Sequence, residues 1–190
     1  MCGRYYIEID DRELQDIVRA AEKNIGETHE QLTIKTGGEI FPTDIVPVQT
    51  GPNQYWFMKW GFTASNGKPV INARSETALE KPMFRKAMRG QRCLIPASGY
   101  YEWRKDGAGK IKHQFYLPGS PMFFAGCWRK EKEGMPHTFV ILTRPASGGA
   151  EAIHDRMPVI IPQNRAAAWL SESPDAMKEA ITDLWYKQVS

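Results

Sequence analysis

The 190-residue chain has little of what several common protein classes require. Only three cysteines occur, Cys2, Cys93 and Cys127, odd in number and widely spaced, which argues against a disulfide scaffold and for a reducing compartment. The four histidines, His29, His113, His137 and His154, never fall at metal-ligand spacing with these cysteines, so no metal is expected. No run of eighteen apolar residues exists, so no membrane-spanning helix and no membrane partner are expected. Arg4 leads into Tyr5-Tyr6-Ile7 and then acidic residues, not the apolar core of a secretory leader, so none is expected. There is no GxGxxG after a strand, no GxxxxGK[ST] and no GxSxG. Strong charge of one sign is missing too. Lys and Arg number 25 against 22 Asp and Glu, a net charge of +3, too small by itself to argue for a nucleic-acid partner.

What is present reads as one mixed α and β domain over 1–190, with 42% hydrophobic residues to build a core. The pattern predicts a short strand over Arg4–Ile9 and a helix from Asp10 or Asp11 to about Lys23, with Leu14, Ile17, Val18 and Ala21 on its apolar face. Asn24–Gly38 reads as loop, with one possible short strand at Leu32–Lys35. Extended segments follow at Val48–Thr50 and Tyr55–Trp60, joined by the Gly51-Pro52-Asn53 turn. Pro69–Ile71 should be a strand delivering Asn72-Ala73-Arg74-Ser75-Glu76 to a helix capped by Ser75. A short helix is expected over Met83–Met88, then a strand over Arg92–Pro96. Ser98–Arg104 and His113–Leu117 flank a hairpin turn at 105–109. Met122–Trp128, Thr138–Thr143 and Val159–Ile161 continue the strand pattern. The end reads as helical, over Gln163–Leu170 and from Pro174 to about Tyr186. The expected class is therefore α+β: a compact domain, mostly antiparallel and partly barrel-like, with flanking helices.

Several polar residues stand in apolar surroundings. An initiator methionine can be trimmed in front of cysteine, leaving Cys2 with an α-amine beside its thiol. The amine can form a Schiff base with an aldehyde and the thiol can close a thiazolidine on the same carbon. Such groups ordinarily titrate near ~7.7–8.0 and ~8.5, so each has a reactive fraction at neutral pH. With Met1 attached, the Cys2 nitrogen is an amide and this ring cannot form. Glu102 lies among the aromatics of Gly99-Tyr100-Tyr101-Glu102-Trp103, where desolvation would raise its pKa and suit it to proton transfer; on an exposed strand face it would be an ordinary surface carboxylate. His154 precedes an apolar segment, and Asn72 follows two apolar residues; each is equally readable as a structural residue. Arg4, Arg74, Arg85, Arg89, Arg92 and Arg156 recur beside these segments and, if clustered near Trp60 and Trp103, would bind phosphates and stack bases.

Five ordered pieces carry a resemblance: Cys2-Gly3-Arg4-Tyr5; Asn72-Ala73-Arg74-Ser75-Glu76; Arg92-Cys93-Leu94-Ile95-Pro96 with Gly99-Tyr100-Tyr101-Glu102-Trp103; Phe124-Ala125-Gly126; and His154-Asp155-Arg156-Met157-Pro158. Together they resemble the SOS-response-associated peptidase (SRAP) family, over Cys2 to about Leu170. The chain departs from the family pattern at Trp60-Gly61-Phe62-Thr63-Ala64-Ser65, which lacks a proline and a final aromatic, and at Arg144-Pro145-Ala146-Ser147.

The resemblance implies a cytoplasmic, DNA-associated monomer without cofactor that captures the aldehyde of abasic sites in single-stranded DNA. It assigns catalytic roles to Cys2, Asn72, Glu102 and His154. Cys2 supplies amine and thiol, Glu102 moves the proton that opens the sugar, and His154 assists Schiff-base or β-elimination chemistry. Asn72 holds the amine or a sugar oxygen. Arg4, Arg74, Arg85 and Arg156 would contact phosphates, and Trp60 or Trp103 a base. A lyase activity and a self-maturing peptidase activity through Cys2 also follow from it. Two other readings stay open on the residues alone. One is a cysteine peptidase or amidohydrolase with Cys2 as nucleophile and His154 as base. The other is a non-covalent single-strand-binding module in which Cys2 is incidental.

Overall fold

Short apolar and aromatic runs separated by Gly, Pro and Asn dominate the chain, and they fold as strands that pair mostly antiparallel. A computed structural model describes residues 2–24 and 33–189. In chain order the elements are β1 (Tyr5–Ile7), α1 (Arg12–Glu22), β2 (Gly38–Ile40), β3 (Ile45–Gly51), β4 (Gln54–Trp60), β5 (Phe62–Thr63), β6 (Pro69–Val70), β7 (Asn72–Arg74), α2 (Pro82–Gly90) and β8 (Arg92–Ala97). The long hairpin β9 (Gly99–Asp106) and β10 (Gly109–Tyr116) follows, then β11 (Met122–Arg129), β12 (Thr138–Pro145), β13 (Arg156–Pro158) and β14 (Trp185–Val189).

One sheet has the order β14-β10-β9-β1-β2. In the other, the order β11-β8-β3-β4-β12 closes on itself, because β12 also pairs with β11 from Gly126↔Ile141 to Arg129↔Thr138. Closure removes the exposed edges and makes a five-strand ring, to which β7 and β13 attach along β12. The expected α+β, partly barrel-like architecture is thus observed. The core lies inside this ring and between it and the first sheet, where Tyr5, Trp60, Tyr100, Phe115, Phe124 and Phe139 are fully buried. Tyr5 stands 5.3 Å from Trp60 and 5.8 Å from Phe124, and Tyr100 stacks on Phe115 at 4.6 Å. Each such side chain contributes roughly 1.5–3 kcal/mol by burial.

Helix α1 forms as its pattern dictates: Asp11 caps it by accepting from the Leu14 amide at 3.1 Å, and Leu14, Ile17, Val18 and Ala21 are its buried residues. Of the Leu32–Lys35 strand, Leu32 lies outside the described residues, and Ile34 makes only an isolated parallel bridge to Ile45.

Four expectations need correction. Ser75 caps no helix; its amide donates to Thr143 O at 2.9 Å, and residues 75–80 form turns before α2 starts at Pro82. A proline disfavours helical backbone in the residue before it, which separates the two segments. Val159–Ile161 is buried and extended and bonds to β11 and β12, with a bridge from Ile160 to Phe124 and the Val159 amide donating to Leu142 O at 2.9 Å, but the strand proper is β13. The end is helical over residues 163–172 as expected, but irregularly, from a 3-10 turn at Gln163–Arg165 into a π-turn at Ala168–Glu172, whereas the second expected helix is only a 3-10 turn at Pro174–Glu179, followed by β14. Tertiary contacts override local propensity here. Trp169 is buried, its Nε1 donating to Cys93 O at 2.8 Å, and the aromatic, β-branched tail satisfies the open edge of β10 from Tyr116↔Trp185 to Lys112↔Val189. Finally, Trp60 is wholly buried, with Nε1 donating to Ile71 O at 2.9 Å and its ring against Tyr5 and Phe139. It is a core residue with no face open to a base.

Gly99 marks the point where the chain turns from β8 into β9. A methyl group there would run into Phe115 O and come within 2.6 Å of Tyr6 Oη. Gly99→Ala should destabilise the fold by about 1–3 kcal/mol, read as a lower urea midpoint at unchanged slope.

Candidate functional site

The site is built where the chain enters β1. That strand is held on both sides, Tyr5↔Tyr100 of β9 and Tyr5↔Ile40 of β2, and the Tyr101 amide donates to Arg4 O at 2.9 Å. Cys2 and Arg4 therefore lie alongside the Glu102-Trp103 stretch of β9. Alternation along β9 decides what each residue faces: Tyr100 and Glu102 are buried, whereas Tyr101 and Trp103 are only partly covered.

Cys2 is 1% exposed. Its carbonyl accepts a 2.8 Å hydrogen bond from Asn72 Nδ2, carried there by the parallel pairing of β7 with β12, Ile141↔Asn72. Asn72 Oδ1 is buried and has no hydrogen-bond partner among the described residues. Glu102 is 6% exposed, not a surface carboxylate. Burial raises its pKa, and nearby positive charge, including that of His154, pulls the other way without cancelling the rise. His154 Nε2 stands 3.9 Å from Glu102 Oε1. On its other side, Nδ1 is 3.0 Å from the Arg156 amide and 2.7 Å from Asp155 Oδ1. The amide demands a lone pair and the carboxylate a proton. The backbone contact is fixed, while Asp155 is 82% exposed and screened by solvent, so Nδ1 accepts and Nε2 carries its proton toward Glu102.

The structure revises one expectation about Cys2. Burial pushes its thiol well above the ordinary range, and the Glu102 charge pushes it further, against a smaller downward pull from the Arg4 amide. The thiol is held protonated, beside a carboxyl group that is itself shifted toward the protonated form.

The predicted phosphate ligands divide into three kinds. Arg74 is exposed and has no ion pair among the described residues. Arg4 donates to Glu39 at 3.1 Å, with its guanidinium 3.7 Å over the ring of Phe41 and 5.6 Å from that of Trp103. Phe41 is presented by a turn in which Thr43 takes a positive φ of 76°, strained backbone for a β-branched residue. Arg156 is only 8% exposed and is clamped on Glu76 at 2.5 and 2.9 Å, while also donating to Thr143 O at 2.7 Å. Arg85 projects from the exposed face of α2, which packs on β8 and β11 rather than on β1 or β9. Arg92 is buried and donates to Trp169 O, a structural role.

Beside Glu102 and His154 opens a pocket of about 650 Å³ whose walls include Trp103, Arg104, Lys105 and Lys110. These three cations were not singled out from the sequence. The signal was the hairpin register, which sets Lys110 opposite Lys105 and Lys112 opposite Trp103. Among the described residues no cluster of His, Cys, Asp and Glu could hold a metal ion, and no helix is long and apolar enough to cross a membrane.

The sequence model described as SOS response associated peptidase (SRAP) matches residues 1–189. The chain belongs to the SRAP family. Similar proteins include abasic site processing protein YoaM of Bacillus subtilis, 38% identical over 64% of this chain and 57% of that protein. Abasic site processing protein YedK of Escherichia coli is 33% identical over 60% of this chain and 53% of that protein. Abasic site processing protein HMCES of Gallus gallus is 30% identical over 65% and 47%. The chain thus spans about half the length of the curated relatives it matches. A solved structure of a protein from Bacteroides thetaiotaomicron superposes with a TM-score of 0.78 over 100% of this chain and 92% of that one, at 21% identity, and shows the shared fold.

The Arg156–Glu76 clamp makes a prediction about acid stability. The guanidinium hydrogen bonds lower the Glu76 carboxyl from 4.5 to about 2. A depressed folded pKa contributes stability above the unfolded value that is lost as pH falls through the folded one. Glu76→Gln should therefore be less stable near pH 7, by about 1–2 kcal/mol after allowing for the exposure of Glu76. The gap to wild type, followed by thermal unfolding, should close between about pH 4.5 and 2.

Proposed function

We propose that this chain captures the ring-opened aldehyde of an abasic site in single-stranded DNA as a covalent adduct on Cys2. The carrying observation is the buried Cys2 with Asn72 on its carbonyl and Glu102 beside its thiol, Glu102 also lining an open pocket to which Arg104, Lys105 and Lys110 contribute. The names of the related proteins, all abasic site processing proteins, point the same way.

An abasic deoxyribose is mostly a closed hemiacetal, and opening it moves a proton from the C1′ hydroxyl to the ring oxygen. Glu102, its pKa raised by burial, performs this shuttle. The free α-amine of Cys2, present once Met1 is removed, attacks C1′, and water leaves to give the imine. Asn72 Oδ1, a buried acceptor without a partner among the described residues, accepts a hydrogen bond from the amine and fixes its direction. The thiol then adds its sulfur to C1′ while its proton passes to the imine nitrogen, closing the thiazolidine with one water lost overall. A thiol held protonated until this step brings the proton that the nitrogen needs. His154, presenting Nε2–H toward Glu102, steadies that carboxylate and supports the competing lyase outcome, in which loss of a C2′ proton expels the 3′ phosphate. Arg4 and Arg74 lie along the strand's phosphates and Trp103 offers a ring to a neighbouring base, while Arg156 stays clamped on Glu76. Maturation hydrolyses the Met1–Cys2 amide: water is consumed, Met1 leaves as the free acid and the Cys2 nitrogen becomes the amine.

The thiol weighs against the rival hydrolase reading. A cysteine nucleophile for amides works as a thiolate, which burial and the Glu102 charge both disfavour here.

Incubation with a single-stranded oligonucleotide carrying one abasic site should give an adduct that survives a denaturing gel with the wild type and is absent with Cys2→Ala. A purely non-covalent binder would show no such adduct and would keep its DNA affinity in the variant. Glu102→Gln should slow adduct formation about 10²-fold or more, and an unchanged rate removes its acid–base role. Because the Glu102 charge raises the Cys2 thiol, the same substitution should make Cys2 alkylate faster at fixed pH, read by mass spectrometry of the Cys2 peptide.

A further inference from the structure

On the outer face of the first sheet, two cations from different strands converge on one carboxylate oxygen. Arg4 Nη1 lies 3.1 Å and Lys112 Nζ 2.9 Å from Glu39 Oε1. Arg4 comes from the residue before β1, Glu39 from β2 and Lys112 from β10, so the group exists only once the sheet has formed. Aromatic faces surround it. Lys112 Nζ is 4.0 Å from the Tyr101 ring centroid and 5.9 Å from that of Trp103, while Arg4 rests on Phe41. The three side chains keep 26%, 30% and 23% of their surface exposed, so the cluster is reachable from solvent. Burial alone would raise the Glu39 carboxyl, but Lys112 and Arg4 outweigh it and hold the group below its ordinary range, ionised at neutral pH.

Two cations and one carboxylate leave a net charge of +1 on a half-exposed surface lined by aromatic rings. A phosphodiester carries the same single charge as the carboxylate and presents two free oxygens, one for each cation. We propose that Arg4 and Lys112 form a phosphate subsite for single-stranded DNA, and that Glu39 occupies it in the free protein as a built-in competitor. The strand's phosphate takes the place of the Glu39 carboxylate, and a base beside it meets the Tyr101 or Trp103 ring. Partly exposed ion pairs are weak, so displacement costs little, yet it subtracts from affinity at every binding event. Glu39 thereby keeps undamaged single strands loosely held, leaving long residence to covalent capture at Cys2. The proposal rests on the reading of single-stranded DNA as substrate and adds Lys112 and Glu39 to it.

The test is fluorescence anisotropy with labelled single-stranded DNA that contains no abasic site, for wild type, Glu39→Gln, Lys112→Gln and the double variant, with thermal unfolding of each. Glu39→Gln should tighten binding roughly three- to tenfold at low salt. Lys112→Gln should weaken binding by a similar factor, and the double variant should fall between the two. Binding by Glu39→Gln no tighter than wild type, with an unchanged melting temperature, overturns the proposal. So does unaltered binding by Lys112→Gln, which decides the matter if Glu39→Gln folds poorly. Loss of the Cys2-dependent adduct in wild type overturns the capture reading instead, a result that the titration with intact DNA does not involve.

Discussion

Everything at the candidate site depends on how β1 is pinned. Three of its residues pair with β2 on one side and two with β9 on the other, and Tyr5 drives its ring into the core against Trp60 and Phe124. A chain start normally frays, because it has few contacts and much conformational entropy to lose. Here the burial of Tyr5 and Ile7 holds the preceding residues in place, so that Cys2, two residues from a terminus, is as buried as a core cysteine. The reactive position thus borrows its rigidity from apolar packing a few ångströms away.

The electrostatics of the site run against stability and toward chemistry. A carboxyl group raised by burial and an amide oxygen without a partner among the described residues each cost free energy in the folded state, whereas the buried thiol, protonated in both states near pH 7, does not. Such groups are retained where a reacting molecule supplies what they lack. The surrounding cations show a complementary economy. Two of the predicted phosphate-binding arginines are held by carboxylates, Arg4 by Glu39 and Arg156 by Glu76, but to different degrees. Arg156 is buried in a bidentate clamp that braces the turn carrying Asn72 to β13. Arg4 sits in a looser, partly exposed cluster that an incoming anion can enter.

Much of this was legible in the amino-acid order, for identifiable reasons. The α1 face, the hairpin β9–β10 and the strands β8, β11 and β12 follow local rules of period and turn chemistry, and they fold as read. The C-terminal segment does not. Its residues favour regular helix locally, but Trp169 finds a buried slot beside Cys93 and Trp185–Val189 find an unpaired edge, both supplied by distant parts of the chain. Trp60 fails for a similar reason. An aromatic at a strand end reads equally as core or as binding surface, and only its neighbours Tyr5, Ile71 and Phe139 decide for core.

By itself, the sequence determined which chemistry is available: a cysteine behind a removable methionine, a carboxylate set among aromatics, a histidine, an asparagine and several arginines in a fixed order. It determined the α+β class as well, because alternation and turn residues act over a few positions. Only the tertiary structure decided which of these groups meet and in what protonation state. Asn72 reaches the Cys2 carbonyl from seventy positions along the chain, and Glu39 and Lys112 meet from seventy-three positions apart. Burial, which sets the pKa of Cys2 and Glu102, belongs to the whole fold and to no local stretch of it.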